Sequence, residues 1–216
     1  TTGAKNTASG YGALKSNTTA SGNVAIGEGS MCTNTTGHSN TAMGRDALCT
    51  NVTGTYNVAI GPWALLSNTT GTNNDAIGQS ALQNNTEGVS NVAIGCRVLQ
   101  SNTTGGYNNA MGHMALCGNT TGVHNTAMGY QALSNSLSGD HNFAAGYQAL
   151  YSNWGGSNNT AIGNTALRKN TTGESNTAIG YQAGSAIVGG DANILIGAQA
   201  GEALTEGDDH VAIGYQ

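Results

Sequence analysis

Versions of one motif, Asn-x-Ala-Ile/Met-Gly, recur along the chain at strict intervals of 17 residues. The first copy begins at Asn6 and the thirteenth at His210, where histidine replaces the asparagine. No insertion or deletion interrupts the period. Such a period is typical of solenoids, in which each repeat forms one rung that stacks on the rung before it. We number the residues of each rung from 1 to 17, starting at the motif asparagine.

Composition limits the partners of this repeat. Of the 216 residues only 8% are charged, against about 25% in ordinary soluble domains, and the net charge is -5. Phosphate binding needs clustered lysine and arginine, so we expect no nucleic-acid partner. No apolar run approaches the roughly 18 residues that a membrane span needs. Because the chain begins and ends in mid-repeat without a signal peptide, we expect it to be an excised or mature piece.

Two glycine columns mark the corners of the rung. Position 5 is glycine in all thirteen copies, and position 15 is glycine in nearly all of them. Glycine at a fixed place indicates a positive φ or a close approach of two backbones. The asparagines at positions 1 and 12 lie near these corners, where stacked amides form ladders. The predicted turn residues are Gly27, Gly44, Gly61, Gly78, Gly95, Gly112, Gly129, Gly146, Gly163 and Gly180.

The segments between the corners predict short strands, and hence an all-β fold: a parallel β-solenoid, or β-roll, of thirteen rungs. One strand covers positions 1 to 4, and a second lies near positions 6 to 10, as at 147–151. Strand alternation places positions 2 and 4 on one face and position 3 on the other. One rung supports a shared face, since position 2 grows to Phe143 where position 4 shrinks to Ala145.

We expect the isoleucines of position 4 and the leucines of position 9 to fill the rung interior, with the alanines of position 3 facing another chain. The opposite assignment of the strand faces stays open. The predicted core residues are Ile26, Ile60, Ile77, Ile94, Ile162, Leu65, Leu82 and Leu133. Because such a thin core offsets chain entropy poorly, we expect self-association, threefold about the rod axis. A thicker monomeric solenoid is the alternative.

The last rungs depart from the pattern, which divides the chain into regular repeats at 1–180 and variant repeats at 181–216. In the first variant rung, position 9 changes from leucine to Gly184, and position 12 changes from asparagine to Ile187. Apolar volume thus moves to another corner. We expect a changed cross-section there and a transition toward a following region.

The motif Asn-Val-Ala-Ile-Gly at 23–27 and 57–61 resembles the head repeat of YadA-like trimeric autotransporter adhesins. The longer unit at 157–167 is similar to repeats of phage tail fibres. The resemblance covers the whole chain and implies a left-handed β-roll with three chains side by side. It also implies an extracellular attachment role, on a bacterial outer surface or a phage tail fibre. The adhesin heads use a shorter rung, and the extra residues here fall in the Asn-Thr-Thr-Gly segment.

Few residues suggest chemistry. Cys32 and Cys49 share position 10 of successive rungs, so their Cα atoms should lie about 5 Å apart, within disulfide range. Their Cβ vectors run nearly parallel, which favours stacked free thiols over a disulfide. His124 and His141 share position 17, whose varied residues indicate an outer surface, so we expect no metal. No residue set argues for a triad, and we expect no catalytic residue, no cofactor and no enzyme.

Aromatic side chains are the candidate contact residues. Tyr130 and Tyr147 belong to a position 6 column, which either stacks on sugar rings or covers a corner. Trp63 and Trp154 break the repeat once each and are predicted surface contacts.

These observations favour a structural, adhesive fibre segment that gives length, stiffness and multivalent display. Its partners would be further copies of the chain, side by side and end to end, and a cell-surface glycan or protein receptor. Two alternatives remain: a carbohydrate-binding receptor-recognition fibre, and an ice-binding solenoid that uses stacked threonine pairs at positions 13 and 14. The threonine array is broken at Val52, Glu87 and Trp154. A polysaccharide depolymerase would need paired carboxylates, which only a groove between chains could assemble.

Overall fold

The computed structural model describes residues 3–215, which form strands and turns. None of these residues belongs to a helix with the length and hydrophobicity of a membrane span. The chain divides into two compact units, with the boundary between Tyr107 and Asn108. The first unit contains β1 (Thr7–Ser9), β2 (Val24–Ile26), β3 (Thr41–Met43), β4 (Val58–Ile60), β5 (Asp75–Ile77) and β6 (Val92–Ile94). The second contains β7 (Asn109–Met111), β8 (Thr126–Met128), β9 (Phe143–Ala145), β10 (Thr160–Ile162), β11 (Thr177–Ile179), β12 (Ile194–Ile196) and β13 (Val211–Ile213).

Consecutive strands pair in parallel within each unit, and each strand residue lies level with the residue 17 positions further on in the same unit. Ala25 pairs with Ala42 and Ala42 with Ala59. Parallel neighbours need a long return connection, which the rest of each rung supplies. The predicted all-β parallel β-solenoid with a 17-residue rung is therefore confirmed.

Each rung contains one strand, so the prediction of a second strand near positions 6 to 10 is wrong. In 147–151 the backbone turns, because Gln148 and Leu150 have φ values of 51° and 50°. A pleated strand requires negative φ at each residue. The segment still bonds to the rungs on either side: Gln148 N–H donates to the Tyr130 carbonyl and Leu150 N–H to that of Ala166.

The rung interior is filled by the alanines of positions 3 and 8 and the leucine of position 9. Leu65, Leu82 and Leu133, predicted as core, are fully buried. At position 3, Ala25 and Ala59 are equally buried. The core is therefore narrow, and it lies between the inner face of the strand and the turn segment opposite.

The isoleucine column lies outside the rung, so the prediction that it fills the interior is wrong. The residues concerned, Ile26, Ile60, Ile77 and Ile162, are 37 to 39% exposed, and Ile94 is half-buried. Because side chains alternate along a strand, only one face of the strand can point into the rung. The space left by the leucine of position 9 accepts a methyl group, so the face that carries the alanine of position 3 points inward. The same alternation then directs position 4 to the outside.

The last rungs show how tightly positions 3 and 9 share the interior. Leu195 replaces the usual alanine at position 3, and position 9 is glycine in that rung and the one before it. A Cβ added at Gly184 would lie 2.6 Å from Leu195 Cδ1, and one added at Gly201 would lie 2.7 Å from Leu195 Cδ2. Ile187 is also buried. Core volume is thus exchanged between corners, while the sheet keeps its register.

Two ladders of buried asparagines fix the corners, as the sequence predicted. At position 1, Asn40 N–H donates to Asn23 Oδ1 over 2.9 Å. At position 12, Asn51 Nδ2 donates to Asn34 Oδ1 over 2.8 Å. Asn23 Nδ2 and Asn34 Nδ2 both donate to the Gly37 carbonyl, each over 2.9 Å. Each amide thereby satisfies buried polar groups in its own rung and in the next.

The glycine columns occupy corners for two different reasons. The ten predicted turn glycines at position 5 have φ values from 126° to 139°, a region that disfavours any side chain. At position 15 the reason is close approach. A Cβ at Gly37 would lie 2.5 Å from Asn34 Oδ1 and 2.7 Å from Asn51 Nδ2, inside the asparagine ladder.

Candidate functional site

The outward face of the sheet carries an apolar column, one side chain per rung at position 4. We call it the outward column. In the first unit it comprises Ile26, Met43, Ile60, Ile77 and Ile94. In the second it comprises Met111, Met128, Ala145, Ile162, Ile179, Ile196 and Ile213.

Water contacts much of this column. Between Ile26 and Ile196, its isoleucines and methionines are 36 to 52% exposed, apart from half-buried Ile94. Position 2 flanks it with valine or threonine in most rungs, and Asp75 is the single charged residue of the two positions. Isolated exposed apolar residues need no explanation, whereas a contiguous apolar patch larger than a few hundred Å² marks an interaction site. Because the column repeats over five consecutive rungs in one unit, its exposed apolar residues are contiguous and not isolated.

One rung of the second unit interrupts the column. Ala145 lies level with Met128 and Ile162, and Phe143 lies level with Thr126 and Thr160. Phe143 and Ala145 are both half-buried. The sequence predicted that these two positions share a face, and that face is the outward one.

The tyrosines predicted as contact residues form a stack. The rings of Tyr130 and Tyr147 have centroids 5.4 Å apart and planes within 6°, and His113 stacks on Tyr130 at 5.5 Å. Stacked rings cover each other's faces, so the column presents ring edges and hydroxyl groups to solvent. Sugar rings stack on aromatic faces, and the faces between the stacked rings of this tyrosine stack are not accessible.

The two tryptophans differ in how open their rings are. The Arg45 guanidinium lies 4.4 Å from the centroid of the Trp63 ring and covers one face. Trp154 is 57% exposed and is followed by Gly155 and Gly156, which add no side chains beside it. Among the four predicted contact residues, Trp154 therefore presents the most accessible ring.

The threonine pairs are divided between protein and solvent. Thr69 Oγ1 donates to the Thr86 carbonyl over 3.0 Å, and Thr35 Oγ1 donates to the Val52 carbonyl over 3.1 Å. Position 13 thus uses its hydroxyl within the backbone stack, whereas Thr36 and Thr70 at position 14 are exposed. An ice-binding surface on this chain would therefore offer one free threonine hydroxyl per rung and not the expected pair, which weakens the physical basis of that alternative.

The sulfur and imidazole pairs lie on neighbouring rungs, as expected. The Cα atoms of Cys32 and Cys49 are 5.0 Å apart. The structure joins the two residues in a disulfide, so the expectation of free thiols is wrong: this Cα separation is within reach of the bond. The rings of His124 and His141 stack 4.9 Å apart. Residues 3–215 contain no group of three or more His, Cys, Asp or Glu side chains that could hold a metal ion.

Comparison of the chain with protein-family models, with curated proteins and with solved structures gives no match.

Proposed function

We propose that the chain is a segment of an adhesive fibre, in which three copies associate side by side through the outward column. The exposed isoleucines and methionines at position 4 carry the proposal. Leaving them in water costs free energy in proportion to their apolar area, at about 25 cal/mol per Å². Association of chains would remove this area from water. The sequence prediction of self-association is retained, but the interface moves from the alanines of position 3 to position 4.

The period of the column favours another copy of the chain as the partner. Apolar groups recur once per rung, at the strand spacing of about 4.8 Å. A partner that contacts many rungs has to repeat at the same spacing, and a second copy lying parallel does so. Cyclic closure around a threefold axis would bury the column completely and prevent open-ended association. A left-handed rung belongs to the same proposal and rests on the resemblance to adhesin and tail-fibre repeats.

Attachment at a cell or virion surface is the role that such an assembly would serve. Stacked rungs give length, and the scarcity of charge and the backbone bonding between rungs suit a stiff, non-catalytic support. End-to-end continuation into a longer extracellular fibre is part of the same proposal, and the unbroken 17-residue period supports it.

A glycan is the receptor class that the surface best accommodates, and Trp154 is the residue that would contact it. An exposed indole face stacks on the C–H groups of a sugar ring. Three copies of the chain would present three such rings, so that weak single contacts add by avidity.

The mass of the protein in solution tests the assembly. One chain is 21.6 kDa, and three times that mass is about 65 kDa. We expect native mass spectrometry and sedimentation equilibrium to show the trimer, and Ile60→Lys to shift it toward monomer, because the lysine charge would be buried in the interface. Val52→Lys is the matched control, since Val52 is 39% exposed and Ile60 is 37% exposed, but Val52 lies outside the outward face.

Folding is checked by circular dichroism for both variants. A wild-type chain that sediments as a folded monomer at micromolar concentration contradicts the proposal. Equal dissociation by both lysine variants would place the interface elsewhere.

A further inference from the structure

We infer that the rung containing Phe143 and Ala145 fixes the vertical register between neighbouring chains of the assembly. The inference rests on the self-association proposed above, and it assigns to this rung a role beyond burial of apolar area. The residues concerned lie in the second unit, on strand β9, where position 2 is large and position 4 is small.

A perfectly repeating interface does not determine its own register. If every rung carried isoleucine at position 4, one chain could slip along its neighbour by one rung and keep nearly all of its contacts. Register is weakly specified wherever a strand surface is uniform. In the second unit the methionines and isoleucines of the outward column are close in volume, so they distinguish poorly between one level and the next.

Strand β9 breaks this uniformity in a complementary way. In a cyclic assembly of parallel chains, each contact is heterologous, so that position 2 of one chain approaches position 4 of the next. With the chains level, the Phe143 ring of one copy lies against the Ala145 methyl of its neighbour, and a large group meets a small one.

A slip of one rung removes that fit at both positions. Phe143 would then meet Met128 or Ile162, which lie level with Ala145 on the two adjacent strands, and the contact would be overfilled. Ala145 would meet Thr126 or Thr160 and leave a void. The same exchange that preserves volume within one chain therefore discriminates between registers once two chains meet.

Asp75 does not supply this specificity. It is the charged residue at position 2, and it is exposed on β5 of the first unit. Level chains bring the Asp75 carboxylates of different copies to one height, and like charges repel. The fit at β9 is thus the feature that favours level chains.

Photo-crosslinking reads the register directly. Photo-methionine replaces the methionines, and ¹⁴N and ¹⁵N chains are mixed so that mass spectrometry separates links between chains from links within one chain. Met128 lies in the outward column on β8, the strand next to β9, and Met111 lies one strand further away, on β7. In the wild-type sequence we expect one dominant rung offset. In the double variant Phe143→Thr/Ala145→Ile the column becomes uniform, and we expect the share of that offset to fall about threefold as its two neighbours become populated.

The matched variant carries the pair of large and small residues on a different rung. Adding Thr160→Phe/Ile162→Ala to the double variant places the same large and small pair one rung later. We expect these chains alone to recover a single offset. Mixed with wild-type chains, they should form hybrids displaced by one rung. Thr177→Val, which exchanges two residues that position 2 already uses, should leave the offset unchanged.

The outcomes separate the two proposals. A double variant that still assembles with a single offset overturns the register role and leaves the fibre intact, and Phe143 then packs on Ala145 of its own chain only. Wild-type chains without any interchain links overturn the self-association, and the register role with it.

Discussion

Three positions of every complete rung hold the backbone in the left-handed region, and most of the residues there are not glycine. In one rung they are Gln131, Leu133 and His141, with φ values of 54°, 52° and 56°. Such a conformation costs roughly 1–2 kcal/mol per residue and persists only where the surroundings enforce it. Here the enforcement is hydrogen bonding between rungs, since Gln131 N–H and His141 N–H donate to the rung before and Leu133 N–H to the rung after.

Relief of this strain predicts a stabilising substitution. Ser175 is exposed, has a φ of 58° and donates its N–H to the Ser157 carbonyl. Ser175→Gly removes the Cβ that makes this φ costly, and even after the extra entropy of an unfolded glycine we expect a gain of about 0.5 kcal/mol. The urea midpoint measures it. Ser175→Ala removes the hydroxyl and keeps the Cβ, so an equal gain from alanine would show that strain is not the source.

The corner glycines predict the opposite effect. Gly129 has a φ of 130°, and a Cβ there would lie 2.6 Å from the Gly146 carbonyl oxygen of the next rung. Gly129→Ala should therefore cost about 3 kcal/mol or more, since both the local conformation and the stacking of rungs have to distort. Thermal unfolding followed by circular dichroism tests this.

Gly155→Ala is the control for that substitution. The nearest atom to a Cβ at Gly155 is Ser138 Oγ at 3.9 Å, so alanine fits there. Similar melting temperatures for the two alanine variants would contradict the importance of the corner.

Among the elements, the strand shows how far sequence pattern determines structure. The 17-residue period and the alternation of faces suffice to predict parallel strands, corner glycines and asparagine ladders. They do not say which face is inside, because Ile26 and Ala25 are both apolar and each belongs to a column that is apolar in most rungs. The answer depends on how much space the leucine of position 9 leaves across the rung, which is a property of packing. Leu195 opposite Gly184 was the available signal in the sequence.

Only part of the candidate site could be predicted from the sequence, for the same reason. Repetition and thin cores predict association, but the interface residues follow from the assignment of faces. The positive φ values of Gln148 and Leu150 also escaped prediction, because neither residue type is typical of that conformation.

The ladder of position 12 predicts a pair of reciprocal substitutions. Ser136 occupies this position in one rung, is fully buried, and its hydroxyl has no hydrogen-bond partner within residues 3–215. Ser136→Asn supplies an amide able to accept from Asn153 and to continue the stack, and we expect a gain of about 1 kcal/mol in unfolding free energy.

Asn68→Ser is the reverse change. Asn68 Nδ2 donates to Asn51 Oδ1, and Asn68 Oδ1 accepts from Asn85 Nδ2. Shortening the side chain removes both of these hydrogen bonds and leaves the two partner groups unsatisfied, so the unfolding free energy should fall by about 2 kcal/mol. Urea unfolding compares the two variants with the wild-type protein, and effects of the same sign would refute the ladder as a stabilising element.

For the whole molecule, the proposed assembly adds the burial of the outward column to that of a thin core. Repulsion between like charges opposes this association. Asp75 is the single charged residue among positions 2 and 4 of all rungs. Parallel, level chains bring its carboxylates to one height, where exposed like charges repel by roughly 1 kcal/mol at most. Asp75→Asn should therefore strengthen the association constant about fivefold at neutral pH and low salt. The difference should shrink as salt screens the charges.

Sedimentation equilibrium at two salt concentrations measures this change, with circular dichroism to confirm that folding is unaltered. Glu87→Gln is the control, because it also removes one exposed negative charge from the first unit but lies at position 14, away from the outward face. If the assembly uses the outward column, Asp75→Asn strengthens it and Glu87→Gln does not. Equal strengthening by both would mean that net charge alone governs association. Weaker association of the Asp75→Asn variant would mean that the Asp75 carboxylate contacts a positive group of the neighbouring chain.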